Sequence, residues 1–221
     1  MQKPNGRVYK CAECDHVFRD YPKIDLKEYY TEKYRQKIIV NAPTDELLTK
    51  RNTEKYKLIQ KYIPSDSVFL EVGFGRGHFS KVYTSDRGAE NYYCCEISTT
   101  LCEEAMTRGL NVFPCQLQEV ETDIQFKVIA AFDVLEHFYD PREYKDKLVE
   151  LLAITGLAII QVPTDRSLHS RMPFDGHHHY FSKQSLRALM APEFEEVYMH
   201  KTEKGQVAGG REFITVFRRV K

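Results

Sequence analysis

One short run, Val68 to Ser80 (VFLEVGFGRGHFS), sets a carboxylate beside bare backbone. Three apolar residues, Val68, Phe69 and Leu70, lead to Glu71, then to glycines at 73, 75 and 77, then to residues suited to a helix start. A strand that passes through a glycine-rich turn into a helix brings backbone up to a nucleotide-like ligand in an open α/β sheet. Glycine admits positive φ and removes the Cβ that would hold the ligand away. The spacing narrows the ligand. A dinucleotide fingerprint needs glycine where His78 stands, and the phosphate loop G-x-x-x-x-G-K-[ST] is absent. Only Arg76 in the loop is basic. In E-x-G-x-G-x-G the leading carboxylate is wrong for a polyanion and attracts an ammonium or sulfonium.

A second acid, Glu96, closes NYYCCE nineteen residues after Gly77. That is close to the distance of roughly twenty at which an acid meets a ribose in nucleotide-binding α/β folds, and a carboxylate can accept from both ribose hydroxyls. A third group follows the apolar run FKVIAAFDV (126–134): Asp133, Glu136, His137 and Asp140-Pro141. In an open sheet this segment lies beyond the strand's carboxyl end, at the ligand crevice. The triplet His177, His178, His179 sits between Asp-Gly and Tyr-Phe-Ser. Imidazole titrates near neutral pH, so His137 and the triplet are the candidate bases. In an extended segment His177 and His179 point the same way. A metal reading of the triplet has only Asp175 as a nearby carboxylate. Cys11 and Cys14 form a C-x-x-C pair, two of the four ligands of a structural zinc, with His16 as a third. Cys94, Cys95, Cys102 and Cys115 lie in or beside apolar segments and read as buried free thiols.

The elements that must position these groups are legible. Residues 1–20 are polar and irregular. Residues 24–40 place Tyr29, Tyr30, Tyr34, Ile38 and Ile39 at helical spacing, and Pro43 breaks that helix. Thr44 and Asp45 offer caps for a second helix through Ile59, which Pro64 ends. The pattern then alternates: strands at 68–72, 91–96, 111–115, 126–134 and 157–162, with helices at 76–84, 98–108 and 141–153. A helix at 182–190, capped by Ser182, precedes strands at 194–201 and 211–220, joined by a loop with Gly205, Gly209 and Gly210. The expected fold is α/β, a Rossmann-like doubly wound sheet with helices on both faces. It is mostly parallel, with one antiparallel strand from the C-terminal hairpin. The expected organisation is a Cys-containing segment at 1–22, N-terminal helices at 23–64 acting as a lid, and a main domain at 65–221.

The ordered motifs E-x-G-x-G-x-G, Glu96, FKVIAAFDVLEHFYDPREY and LLAITGLAIIQVP resemble class I S-adenosylmethionine-dependent methyltransferases over about residues 65–220. The similarity is greatest to the branch that acts on small molecules and glycan precursors. It implies S-adenosylmethionine as cofactor and S-adenosylhomocysteine as product. Glu71, Gly73, Phe74, Gly75 and Gly77 would hold the methionine part, and Glu96 and Ile97 the ribose and adenine. Gln116 and Leu117 would meet the adenine ring, and Phe132 and Asp133 would line the methyl-transfer side. Two positions depart from the pattern: Lys127 replaces an Asp, and Ile154-Thr155-Gly156 replaces a proline-glycine-glycine turn. In that branch a zinc-ribbon-like N-terminus with two cysteine pairs precedes a tyrosine-rich helix, and here one pair is present.

Lys+Arg and Asp+Glu balance at 32 each, which disfavours a large nucleic-acid surface. No run is long and apolar enough for a membrane span, the polar N-terminus has no signal-peptide pattern, and the cytoplasm is the expected compartment. The expected activity is methyl transfer, O-methylation before N- or C-methylation, to a small polar acceptor in carbohydrate or secondary-metabolite biosynthesis. The competing readings are a catalytically silent module that contacts RNA or protein, and a nicotinamide dehydrogenase, which the missing G-x-G-x-x-G disfavours.

Overall fold

The structure is a computed structural model that describes residues 7–20, 43–163, 177–202 and 212–221. The expected helix at 24–40 with its tyrosines, Asp175 and the glycine loop of 205–210 lie outside those residues. Along the chain run β1 (Arg7–Lys10), β2 (Val17–Asp20), α1 (Asp45–Ile59), β3 (Phe69–Val72), α2 (His78–Arg87), β4 (Tyr92–Cys95), α3 (Thr99–Thr107) and β5 (Asn111–Phe113). There follow β6 (Phe126–Phe132), α4 (Pro141–Leu151), β7 (Leu152–Pro163), β8 (His179–Tyr180), α5 (Lys183–Met190), β9 (Phe194–Lys201) and β10 (Glu212–Arg219).

Local chemistry sets the helix ends. The Thr44 hydroxyl accepts from the Leu47 N–H at 3.3 Å, and Asp45 and Glu46 load the first turn of α1 with negative charge. Asp140 accepts from the Arg142 N–H at 3.0 Å, and Pro141 opens α4. Ser182 and Ser185 bond reciprocally at the start of α5.

Seven strands form one sheet in the order β5-β4-β3-β6-β7-β10-β9. The pairings from β5 through β7 are parallel, and β10 runs antiparallel to both β7 and β9. The expected mostly parallel sheet with one antiparallel hairpin strand is present. Side chains alternate between two cores. Leu70, Val72, Ile129 and Ala131 pack on one face with Tyr144 and Leu148 of α4 and Leu186 of α5. Phe69, Val128 and Ala130 pack on the other with Tyr56 and Ile59 of α1 and Phe79 and Tyr83 of α2.

Two expectations change. Gly156 lies inside β7 and does not make a separate turn. Phe126 pairs with Leu152 but Val128 pairs with Leu157, so the extra residues form a bulge with Thr155 at φ 66°. The N-terminal segment is not irregular either. β1 and β2 form an antiparallel hairpin, and β2 pairs with β8 to make a second, three-stranded sheet. Four-residue strands with mixed polarity carry too short a pattern to be read from sequence. Among the described residues no helix is long and apolar enough to cross a membrane.

Leu148 is fully buried between α4 and the sheet. Leu148→Ala is expected to cost about 2–5 kcal/mol in urea unfolding. Met106→Ala, at a side chain 49% exposed, is expected to stay within about 0.5 kcal/mol of wild type.

Candidate active site

β3 and β6 pair in parallel, and the order of strands reverses between them. β3 leads by way of the glycine loop to α2, and β6 leads by way of Asp133 and a short turn at Leu135–His137 to α4. The crevice between two such loops is the ligand position in this class of sheet. Gly73, Gly75 and Gly77 have φ of 72°, 54° and 66°. A Cβ at Gly73 would come within 2.6 Å of Val134 Cγ2, so the loop is packed against the turn that follows β6. A Cβ at Gly77 would lie 2.3 Å from Phe74 Cζ. For a Cβ at Gly75 the nearest atom among the described residues is the Gly73 carbonyl oxygen at 4.0 Å, which leaves an open cradle among them.

Glu96 stands beside that cradle. Its Oε2 accepts from the Gly75 N–H at 2.9 Å, and its Oε1 accepts from the Ile97 and Ser98 N–H groups at 2.9 Å each. A carboxylate has about four acceptor positions, so capacity remains for a hydroxyl. Ile97 and Gln116 are half-buried, whereas Leu117 is part of the core. The Gln116 N–H donates to Glu119 at 3.0 Å and starts a short turn there. Phe74 is buried beneath the Arg108 guanidinium, whose carbon is 5.3 Å from the ring centre.

Glu71 is buried, and the Tyr92 hydroxyl donates to its Oε2. Burial pushes its carboxyl up to about 8, against the lowering effects of the Tyr92 bond and the Lys55 charge. Burial therefore works against the charge expected of Glu71. Lys55 of α1 is also buried, with Nζ 4.2 Å from the centre of the Phe132 ring. Burial lowers its ammonium, while Asp133, Glu212 and Glu71 pull it back up. Burial and the Asp133 charge push Glu212 up to about 8. Asp133 is exposed, with φ 58°, in the left-handed region that costs a non-glycine residue energy. Gln161 fixes it there: its Nε2 donates to Asp133 Oδ2 at 2.7 Å and its carbonyl accepts from the Asp133 N–H at 3.1 Å. Gln161 Oε1 and Glu212 Oε2 are buried with no hydrogen-bond partner among the described residues.

Sequence reading missed Lys55, Gln161 and Glu212. Lys55 had a signal, as a lysine on the Leu48, Asn52, Tyr56, Ile59 stripe of an amphipathic helix. So did Gln161, an amide within the apolar run LAIIQV. Glu212 had none, because its partners arrive from other strands and from α1.

The histidine triplet is divided by the hairpin. His179 is buried, its Nε2 donates to the Tyr139 carbonyl at 3.2 Å, and its Nδ1 therefore accepts from His16 Nε2 at 3.0 Å. Burial holds its pKa below the usual range. His16 is pushed down to about 4, chiefly by burial and also by His179. His178 is buried, and its backbone bonds Glu136 and Arg19 at 2.8 Å each. His177 is left beside His137, their ring centres 4.7 Å apart and edge to face, with the buried Glu136 next to both. Cys11 and Cys14 flank the turn between β1 and β2. N–H groups of Cys14 and Glu13 hold the Cys11 thiol below its ordinary range, and burial raises that of Cys14. Among the described residues no third ligand gathers with these two cysteines.

A family profile described as a methyltransferase domain matches residues 41–192. The chain belongs to that family. It has the class I, S-adenosylmethionine-dependent architecture. A solved N1-methyltransferase from Burkholderia thailandensis, with bound 1,6-didemethyltoxoflavin and S-adenosylhomocysteine, superposes with a TM-score of 0.65 at 17% identity, covering 100% of each chain. The N-methyltransferase NodS from Bradyrhizobium japonicum, in complex with S-adenosylhomocysteine, gives a TM-score of 0.65 at 16% identity, covering 86% of this chain and 98% of its own. The [4+2]-cyclase SpnF gives 0.63 at 14% identity, covering 76% and 80%. The sequence has no match among curated proteins.

Glu71 generates a pH prediction for the ligand-free protein. Its carboxyl titrates near 4.5 when unfolded and about 8 when folded. The folded state holds the proton longer, so this contribution is full below the unfolded value and is lost as pH rises to the folded one. Glu71→Gln is expected to reduce the fall in melting temperature between about pH 5 and pH 8, with Glu212 still contributing its share. Thermal melts across that range measure it, and a fall of undiminished size in the variant counts against the buried neutral carboxyl.

Proposed function

We propose that the protein transfers a methyl group from S-adenosylmethionine to an oxygen of a small polar acceptor. The acceptor class is a sugar, or a sugar-linked group of a glycan or secondary-metabolite precursor. The observation that carries the reading is the open cradle at Gly75 beside the Glu96 carboxylate, at the edge where the loops of β3 and β6 part. The donor set fits the cofactor: Glu71, Glu212 and Asp133 act on the buried Lys55, and Gln161 Oε1 and Glu212 Oε2 are buried without a hydrogen-bond partner among the described residues, which gives a cationic ligand acceptors to meet. When bound, S-adenosylmethionine supplies a methyl carbon on a positive sulfur that leaves as a neutral thioether.

The chain's own residues bind, align and exclude water. Glu71, Gly73, Phe74, Gly75 and Gly77 hold the methionine part, directly or by shaping the loop. Glu96 and Ile97 take the ribose and adenine, with Gln116 and Leu117 against the ring. Phe132 and Asp133 line the transfer side. A hydroxyl acceptor must lose a proton. His137 and His177 are the side chains for that task, because they are part-exposed beyond the carboxyl end of β6 while His178 and His179 are buried in the hairpin contacts. The competing binding-module reading has no such use for an open cradle beside the Glu96 carboxylate.

Calorimetry is expected to show micromolar binding of S-adenosylmethionine and S-adenosylhomocysteine and none of NAD. Absence of both sulfur ligands in folded protein overturns the enzyme reading. Glu96→Ala is expected to weaken S-adenosylhomocysteine binding more than about 10-fold, since it removes hydrogen bonds to a charged acceptor worth about 1.5–3 kcal/mol each. Unchanged affinity removes the ribose assignment. Release of S-adenosylhomocysteine with hydroxylated sugars, and with amino sugars as the nitrogen arm, identifies the acceptor atom.

A further inference from the structure

Three metal-type ligands meet beyond the carboxyl end of β6. Glu136 and His137 end the turn after Asp133, and His177 opens the segment that leads into β8. The Nε2 atoms of His137 and His177 lie 3.9 Å and 4.0 Å from the same Glu136 oxygen, Oε1. All three donor atoms are within 4.8 Å of one another, the one such group among the described residues. The sequence offered Asp175 as the carboxylate for a histidine metal site. Asp175 lies outside the described residues, and among these the fold brings Glu136.

The separations are informative. They exceed hydrogen-bond length. Ligands at about 2.0–2.2 Å from a common ion stand roughly 3–3.5 Å apart in cis or tetrahedral positions. An ion would draw these donors inward by about half an ångström. The backbone already holds the two segments together, through the His178 N–H on the Glu136 carbonyl at 2.8 Å. Glu136 is fully buried, while the His137 and His177 side chains are 18% and 25% exposed.

We propose that Glu136, His137 and His177 form a site for one first-row divalent transition ion. Two imidazoles with one carboxylate suit Zn²⁺, Mn²⁺ or Co²⁺ better than Mg²⁺, which takes oxygen ligands. Three protein ligands leave coordination positions free for a substrate oxygen. The site itself stands on this geometry. Its use in catalysis rests on the hydroxyl acceptor proposed above and replaces the base there: with an ion held, His137 and His177 would serve as ligands through Nε2, a bound hydroxyl would become more acidic, its proton would leave to solvent, its oxygen would take the methyl carbon, and sulfur would keep the electron pair of the broken bond.

The test is metal binding to the chelator-treated full chain, by calorimetry with Zn²⁺ and by electron paramagnetic resonance with Mn²⁺. One equivalent is expected to bind, with Mg²⁺ weaker. His137→Ala and His177→Ala are each expected to weaken it about tenfold or more. Unshifted melting curves for the apo variants confirm that the fold is intact. The Cys11→Ser/Cys14→Ser double variant is expected to leave binding unchanged. No stoichiometric binding of either ion at about 100 times the protein concentration overturns the proposal. So does binding that survives both histidine variants, or binding lost in the cysteine variant. Binding is read without any acceptor, so failure of the methyl-transfer reading would appear separately, in the cofactor titration and acceptor screen.

Discussion

Parallel pairing of β3 with β6 is the constraint on which the rest of this molecule depends. Phe69 to Val72 lie in register with Val128 to Ala131, so both strands end at one edge of the sheet. The chain then leaves in opposite directions. From Val72 it passes through the glycine loop to α2, whose Phe79 and Tyr83 pack on one face. From Phe132 it passes through Asp133 to α4, whose Tyr144 and Leu148 pack on the other. Two connections that cover opposite faces cannot close the edge between them. The opening is a consequence of topology, and the residues at its rim give it chemistry.

Burial then decides what charge the opening carries. Glu71 and Glu212 would be ionised in water, yet desolvation holds both near 8, and it lowers the lysine that faces them. A protein interior tolerates such groups where they exchange partners with a ligand, since removing charge from water costs several kcal/mol per ion. Lys55 is a buried cation facing Glu71, Glu212 and Asp133, with Arg108 also acting on Glu71 and Arg51 on Glu212. Arrival of an external cation would restore the carboxylates to their charged form. Strain at Asp133 follows the same logic, because its left-handed backbone is held by two bonds to one buried amide, Gln161.

The N-terminal hairpin gives a different lesson. β2 adds to β8 and so draws two of three consecutive histidines into structural work, one in a histidine-to-histidine bond and one in the packing beside Tyr139. The third, His177, remains beside His137 and Glu136. Three adjacent residues of one type thus acquire separate surroundings, because the chain enters β8 only at His179 and pairs there with β2.

Most of the large sheet was legible before folding. Apolar runs of strand length, helical stripes such as Tyr144, Leu148 and Leu151, and caps such as Asp140-Pro141 are local signals, and they located each element to within a few residues, apart from β7, which begins at Leu152 and not near 157. The glycine spacing and the Glu96 position were equally local. The small sheet was not legible, because two four-residue strands and a two-residue partner carry no periodicity. Lys55, Gln161 and Glu212 escaped for another reason: each matters through partners far away in sequence. The chain by itself determined that a glycine turn, two acids and a histidine group would gather at one sheet edge. Tertiary structure alone decided which histidines are buried, that Glu136 joins the other two, and which carboxyls burial pushes up, because burial and long-range contact exist only once the chain has closed.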